Sequence, residues 1–479
     1  MMAKTTTIFC GNNFVNVDFP DHTRILKAPV HDDFLEDPRK AVVDAVRNPL
    51  GMKPLKELVK AGSRVMIAFD DLAVPVPPVY PSIDNRQIAI EAIIDELYAA
   101  GVRKKDIVLV CANGLHRMWK RSEIAMILGN RIMKEFSLGQ IVGHDGEDPE
   151  NLLHLGLTEN GLDVEVNRLL VEADQAIYVN VNWVPFNGGW KSTMIGLGTY
   201  RVIQHIHNNE IYVDEAPASC MEPHRNMLHS RIREMGHHFS QYMASQGKKV
   251  FQVETMINNM VPGKMCNVYA GDVDQVHEKT LAFLIKHHTL AVKGQSDVLV
   301  FGLPDFMPYS IGTIINPILV ARMGLGYLFS NYMNMPLVRK GGVLILTNPL
   351  IDQCDPIHHP SYVTFWNEGF ARTRDARQLY DIFAGEYAHR PEFVHKYRYG
   401  YGFHGVHPVQ AYATTIYPKL YLGKVFAAGC TDAKVAEKLE WEPFASVESA
   451  IEGARKLLGR DITITYVVLP PFFTPMVEA

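Results

Sequence analysis

Lys191 follows Gly188 and Gly189 in the string FNGGWKSTMIGLG, with Ser192 next in line. Glycines beside a lysine suit a backbone that approaches a ligand closely. The string is no phosphate-binding P-loop, because the GxxxxGK[ST] spacing fails. A surface turn is the plain alternative. His116, in CANGLHRMWK, is a candidate general base, since imidazole titrates near neutrality; a solvated loop histidine is its alternative. Asp71 follows the apolar run Arg64 to Asp70 and would neighbour His116, or would cap the next element. His205 and His207 alternate in RVIQHIHNN. On an extended segment only one of them faces a site, and two imidazoles make only part of a metal centre. The adjacent pairs His237 and His238, His287 and His288, and His358 and His359 carry no spacing signal and read as helix or loop surface.

These residues need elements to bring them together. RVMIAFD (64–70) is too short for a core helix and reads as a buried strand. After the proline-rich LAVPVPPVYPS, residues 86–100 read as a helix with Ile90, Ile93, Ile94 and Leu97 on one face, Asp84 as N-cap and Gly101 as stop. DIVLVCANG and GQIVGHD are further strands, RSEIAMILGNRIMKEF a helix, and VEVNRLLVEADQAIYVNVNW a helix and strand. Alternating strands and helices imply parallel pairing with right-handed crossovers. Ligands of such sheets sit beyond the strands' carboxyl ends. The loops after Asp70, after Gly114, at His144 and at Lys191 would then share one edge. A second set begins near Asp297, with strands in DVLVFGLP, GGVLILTNP and KLYLGKVFAAG. The expected fold class is α/β: two Rossmann-like lobes with mainly parallel sheets and an interdomain cleft. The division is 1–285 for a cofactor-binding lobe and 286–454 for the lobe that closes the cleft. Residues 271–290 form the joining helix, and the tail from about 455 to 479 can return to the first lobe.

The length of 479 residues exceeds one ordinary core. At 47% hydrophobic and 21% charged residues, with a net charge of −5, the chain has the profile of a globular protein with neither a nucleic-acid nor a membrane partner. MMAKTTTIFCGNNF lacks the apolar core of a signal peptide, and no apolar run reaches the ~18 residues of a membrane span. The six cysteines are scattered without a CxxC pair, which suits reduced thiols in a cytoplasm. No GxGxxG turn follows an early strand, so a nicotinamide-dependent dehydrogenase has little support.

Several of these strings together resemble the nickel-dependent lactate racemase family. IVGHDGEDPENLLHLG followed by EVNRLLVEADQAIYV is similar to the family's stretch between two site loops. NGLHR resembles its histidine loop, and GGWK its glycine-glycine-x-lysine segment. His207, sixteen residues beyond Lys191, matches the spacing of its nickel-ligating histidine, and AGDVDQVHEKTLAF resembles the lead into its interdomain helix. The likeness runs from about Arg64 to Lys286 and is loose beyond. The resemblance implies a nickel-pincer nucleotide, a pyridinium-3-thioamide-5-thiocarboxylic acid mononucleotide, bonded to Lys191 and built by cofactor-synthesis enzymes of the host. It implies Ni(II) held by two sulfurs, one carbon and His207; soft sulfur with imidazole suits that ion. It further implies a small 2-hydroxy acid as substrate. His116 would take the hydroxyl proton while the hydrogen on Cα leaves as hydride, to be returned to either face of the planar keto acid. A homo-oligomeric state stays open.

The sequence also departs from the family pattern. The second, opposed histidine should stand shortly before the lysine, yet Trp183 is the nearest counterpart, and tryptophan is no base near neutral pH. The family's DxTRP loop, whose arginine grips the carboxylate, reads DDLAVP here, with Ala73 and Val74 replacing threonine and arginine and Pro75 retained. Another cation, Arg117, is the candidate clamp, or the substrate differs; Val74 beside Trp183 suggests a short aliphatic or aromatic side chain. In the second lobe, Tyr309 and Asn316 are the candidate replacements for a tyrosine-glutamine pair at the cofactor. The expected function is racemisation or epimerisation with a single catalytic histidine. The alternatives are a one-directional 2-hydroxyacid oxidoreductase or transhydrogenase with the same cofactor, and a binding homologue without catalysis.

Overall fold

The computed structural model describes residues 4–31, 33–73, 83–214, 226–258 and 264–478. The expected strands form because their apolar runs are long enough to cross a sheet and are covered on both faces. All six residues of Val65–Asp70 and all eight of Gln175–Asn182 are buried, as parallel strands between helix layers require. The first sheet runs, edge to edge, Met265–Gly271, Val250–Ile257, Gln175–Asn182, Val65–Asp70, Ile107–Ala112 and Ile141–Gly143. Its neighbours are parallel, except that Met265–Gly271 turns back antiparallel on Val250–Ile257.

Chain order explains where this sheet can hold a ligand. The chain enters at Val65–Asp70 and works outward through Ile107–Ala112 to Ile141–Gly143. It then returns to the other flank at Gln175–Asn182. The order therefore reverses between Val65–Asp70 and Gln175–Asn182. Loops leaving those two strands diverge and open a crevice at the carboxyl ends. Asp71 and Trp183 are the first residues past those ends.

The second sheet runs Glu442–Phe444, Lys424–Ala428, Val338–Thr347, Ser296–Gly302, Ile464–Val467 and Arg24–Leu26, all parallel. This topology differs from the expected division at both ends. Arg24–Leu26 belongs to the second sheet, and Ile8, Val17 and Phe19 of the preceding hairpin pack with Val298 and Ile345. The tail stays with the second lobe: Ile464–Val467 is a strand of its sheet, and Thr474–Glu478 pairs with Thr289–Lys293. Strands this short carry no periodicity that says which sheet they will join. The joining helix spans Val273–His288, capped by Asp272. One apolar cluster contains Ala68 and Tyr178 from the first sheet and Leu299 and Leu346 from the second, so the lobes share core. Among the described residues no helix is long and apolar enough to cross a membrane.

Ile67, fully buried in the central strand, tests this packing. Ile67→Ala should lower the unfolding free energy by about 2–5 kcal/mol, read as a shift of the denaturation midpoint with little change in slope.

Candidate functional site

A cavity of about 130 Å³ opens at the crevice. Asp71, His116, Lys191 and His207 reach it from the first lobe; Tyr309, Arg322 and His407 reach it from the second. Asp71 is buried and its carboxylate accepts three hydrogen bonds. His116 Nδ1 donates to Oδ2 at 2.8 Å, Trp119 Nε1 to Oδ2 at 3.0 Å and the Ala73 amide to Oδ1 at 3.1 Å. A carboxylate only accepts, so His116 carries its proton on Nδ1 and keeps Nε2 as the basic nitrogen. Buried Arg86 donates to the backbone carbonyls of Asp70 and Asp71 and so fixes the strand end. From the second lobe, the Tyr397 hydroxyl donates to Gly114 O at 2.8 Å and accepts from Gly146 N at 3.0 Å, steadying the histidine loop.

Lys191 lies one residue into the short helix Trp190–Gly196. Its ammonium donates to Asn187 Oδ1 at 3.1 Å and sits 4.4 Å from the centre of the Phe186 ring. Gly188 and Gly189 have φ of +96° and +58°, and a Cβ on either would come within 3 Å of His277. Their tight turn therefore packs on protein rather than only on a ligand: Gly189 N donates to the buried Glu254 at 2.6 Å. Burial pushes the Glu254 carboxyl up, but His277 and the hydrogen bonds it accepts outweigh that and hold it below the usual range. Ser192 lines the cavity and accepts from Asn180 Nδ2 at 2.6 Å; the same amide donates to Asp70 at 2.9 Å. Burial pushes the Asp70 carboxyl up to about 6.

His207 was expected on an extended segment. It lies instead in a turn after the helix Tyr200–Ile203, yet only one of the pair faces the cavity, because His205 Nε2 is held at Asp163, 2.9 Å from its Oδ2 and 3.1 Å from its amide. His207 Nδ1 is buried without a hydrogen-bond partner. Burial, and then the charges of Arg322 and Lys191, push its imidazole down to about 3. A neutral imidazole with an unpaired nitrogen is the metal-ligating form. A second cavity of about 390 Å³ adjoins at Gly188, Gly189 and Lys191 and is lined by His229, Arg233, His237 and His277.

Three expectations change. Arg117 does not line the cavity; Glu123 takes both of its terminal nitrogens, at 3.0 and 2.6 Å, and its guanidinium stacks 3.9 Å over Trp119. A carboxylate six residues away thus holds its fork. Asn316 is the buried N-cap of Pro317–Ala321, accepting from Leu319 N at 3.0 Å, and does not line the cavity either. The histidine pairs are not all surface: His288 and His359 are fully buried. Trp183 does line the cavity, packed edge-on against Tyr332 and Phe472. Tyr309 lines it too, its hydroxyl bonded to that of Tyr327. Val74 and Pro75 lie outside the described residues.

An arginine and a histidine of the cavity escaped the sequence reading. Arg322 opens the π-helical stretch Arg322–Asn331, is 5% exposed and lies over the Tyr327 ring. Its Nε and Nη1 have no hydrogen-bond acceptor, and among the described residues no carboxylate pairs with it. His407 bonds through Nδ1 to the Tyr362 hydroxyl at 2.7 Å and meets the His116 ring perpendicular at 5.7 Å. Burial, then His116, pushes its imidazole far down. The π-helical geometry, a frequent companion of functional sites, is the signal for Arg322, but it is visible only in three dimensions.

Burial also pushes His229 down to about 3 and His288 and His359 to about 4. With His207, four imidazoles stay neutral in the fold while the unfolded chain takes up protons below pH ~6.5. Stability is therefore full above that pH and falls toward pH 3–4, by up to ~1.4 kcal/mol per pH unit per histidine. Unfolding free energies measured between pH 7.5 and 5 should decline, and His359→Gln should make the decline shallower. Asn316→Ala should remove about 1 kcal/mol of stability while leaving ligand affinity unchanged in titration.

Residues 10–219 match the lactate racemase N-terminal domain. The chain is 26% identical over 257 residues to the lactate racemase of Thermoanaerobacterium thermosaccharolyticum, covering 52% of this chain and 54% of that one. It is 24% identical over 244 residues to that of Lactiplantibacillus plantarum, covering 50% and 52%. The chain thus spans about half the length of the curated relatives it matches. In three dimensions it matches the lactate racemase apoprotein of T. thermosaccharolyticum with a TM-score of 0.69 at 20% identity, over 99% of this chain and 100% of that one. A Thermotoga maritima protein matches with a TM-score of 0.55 at 14% identity, over 94% and 100%. The glycine-lysine turn, the His116–Asp71 pair and His207 thus lie on a chain whose residues 10–219 are similar to the lactate racemase N-terminal domain and whose whole length takes the fold of the lactate racemase apoprotein.

Proposed function

We propose that the protein racemises or epimerises a small 2-hydroxy acid, with a nickel-pincer nucleotide anchored on Lys191 and ligated by His207. The observation that carries this reading is the convergence on one cavity of a lysine amine, a neutral imidazole with an unpaired nitrogen, and a carboxylate-held histidine. The donor set fits the group. The cavity across Lys191 carries Arg233 and the imidazoles of His229, His237 and His277 beside Asp274 and Glu278, and its guanidinium suits a phosphate. When bound, the group supplies an acceptor for the hydrogen on the substrate's Cα.

The chain's own residues do the rest. Arg322 binds the substrate carboxylate. Its Nε and Nη1 have no protein acceptor, and a buried guanidinium without a counter-charge is costly until an anion arrives. His116 Nε2 takes the proton from the substrate hydroxyl and returns it. Asp71 holds His116 in the tautomer that leaves Nε2 basic. Trp183, Phe186, Tyr327 and Tyr332 give the cavity an aromatic wall, which suits an aliphatic or aromatic side chain over a second carboxylate or a sugar chain. His407 touches His116 and so supplies no opposed base. Trp183, standing where a second base is expected, favours one further reading: oxidation of a single enantiomer coupled to reduction of a second keto acid.

The test is protein made alongside cofactor-synthesis enzymes and given one lactate enantiomer. The expected results are a mass adduct mapped to Lys191, bound nickel, and appearance of the opposite enantiomer without a second substrate. His116→Ala should lower kcat by about 100-fold or more. Arg322→Ala should raise KM by at least about tenfold, with Arg322→Lys recovering only part, because an ammonium lacks the planar fork. An unmodified Lys191 would end the reading. Turnover only when a keto acid is added would replace racemisation by the transhydrogenase.

A further inference from the structure

Among the described residues the chain passes between the two sheets twice. The first passage leaves Arg24–Leu26 of the second sheet for the helix Pro38–Arg47, which packs on the first lobe. The second leaves the helix Val273–His288 of the first lobe for Ser296–Gly302 of the second sheet. The two passages meet at one cluster. His31 and Asp33 come from the first, His287 from the second, and one ligand atom of each lies within 4.8 Å of the others.

The cluster is held from several sides. Asp33 Oδ2 is 3.1 Å from His287 Nδ1, close to the edge of a tetrahedral coordination shell. The His31 ring lies 5.1 Å from that of His287, and Phe283 stacks on His287 at 4.3 Å. Asn258, 1% exposed, donates from one amide nitrogen to the backbone carbonyls of His31 at 3.0 Å and Asp33 at 3.2 Å, which fixes the loop that presents them. The Asp33 side chain is 61% exposed, so an ion and a completing water have access. Next in the chain, His288 Nδ1 donates to Trp183 O at 2.6 Å, which ties this crossing to the cavity wall.

We propose that His31, Asp33 and His287 form a binding site for a divalent transition ion, separate from the cavity at Lys191, that clamps the two interlobe passages together. Two imidazoles and one carboxylate, with water as the fourth ligand, are the ligand set of zinc and similar borderline ions. Calcium and magnesium require more oxygen ligands. Binding draws His31 inward onto the His287–Asp33 pair and joins segments 254 residues apart in sequence, so the ion binds the folded chain alone and stabilises it.

The test uses full-length protein freed of metal, titrated with zinc in equilibrium dialysis, with melting followed in parallel. His207→Ala serves as the background that removes the cavity's own ligand. The expected result is one zinc per chain in that background, with a raised melting temperature. Asp33→Asn and His287→Gln should each weaken binding by at least about tenfold, the loss that even an outer partner of a metal ligand causes, and remove the melting shift. Asp33 is exposed, so its variant keeps the fold, which circular dichroism checks. Cobalt in place of zinc should give the intense visible bands of a four-coordinate site. Zinc affinity unchanged in both variants, or lost on His207→Ala alone, would overturn the proposal and leave an ordinary His287–Asp33 ion pair.

Discussion

Two adjacent parallel strands whose chains leave in opposite directions cannot close over their own carboxyl ends. That constraint, set between Val65–Asp70 and Gln175–Asn182, governs the rest of the molecule. It leaves a crevice that only another element can roof, and the second lobe supplies the roof through Tyr309, Arg322 and His407. The shared core across the two sheets follows, because a cavity closed from both sides must be walled by apolar contact between lobes. It also explains why the backbone polarity of the strand ends is met by buried side chains: Arg86 for the carbonyls of Asp70 and Asp71, Asp70 for the Val181 amide.

Burial then sorts the charges in that cavity. Imidazole responds to desolvation by giving up its proton, which is why His207 and His407 face the cavity neutral. Guanidinium cannot do so at any ordinary pH. Arg322 keeps its charge inside the wall and presents two N–H groups without a protein acceptor. Asp71, a buried acceptor of three hydrogen bonds, fixes the His116 ring through Nδ1 and leaves Nε2 toward the cavity. The cavity thus brings together neutral imidazoles, one permanent cation and a histidine held by a carboxylate.

Sequence patterns revealed the part of this that follows strands. Asp71, His116 and Lys191 were legible because each stands just past an apolar run, where a parallel sheet must put its loops. His207 was legible by its distance from Lys191, although the reason expected, an extended segment, was not the one found. Arg117 and Asn316 misled because a local partner settles each of them: Glu123 six residues on, and the Leu319 amide of a new helix. Arg322 and His407 were illegible. Their helices are buried on every side, so no polar face marks an orientation, and the residues they meet lie far away in the chain. The strand Arg24–Leu26 was missed for a related reason, since three residues have no period to read.

The spacing of base and cation bears on stereochemistry. A 2-keto acid is planar about C2, with oxygen, carboxylate and side chain as its three substituents. To present its other face it must make a half-turn about one of those three bonds. A turn about the carbonyl bond keeps the oxygen at His116 but exchanges carboxylate and side chain. A turn about the carboxylate bond keeps the grip of Arg322 but swings the oxygen away from His116 toward the side-chain wall. No half-turn preserves both contacts. Under the proposed function, a cavity with one Arg322 and one His116–Asp71 pair holds such a keto acid in one orientation as long as both contacts last. Under the proposed function, inversion has to pass through release of one of them. The carboxylate grip is the contact to break, because the oxygen must return to His116 to recover its proton. The balance between racemisation and one-directional oxidation is then set by the strength of the Arg322 contact relative to the lifetime of the keto acid in the cavity.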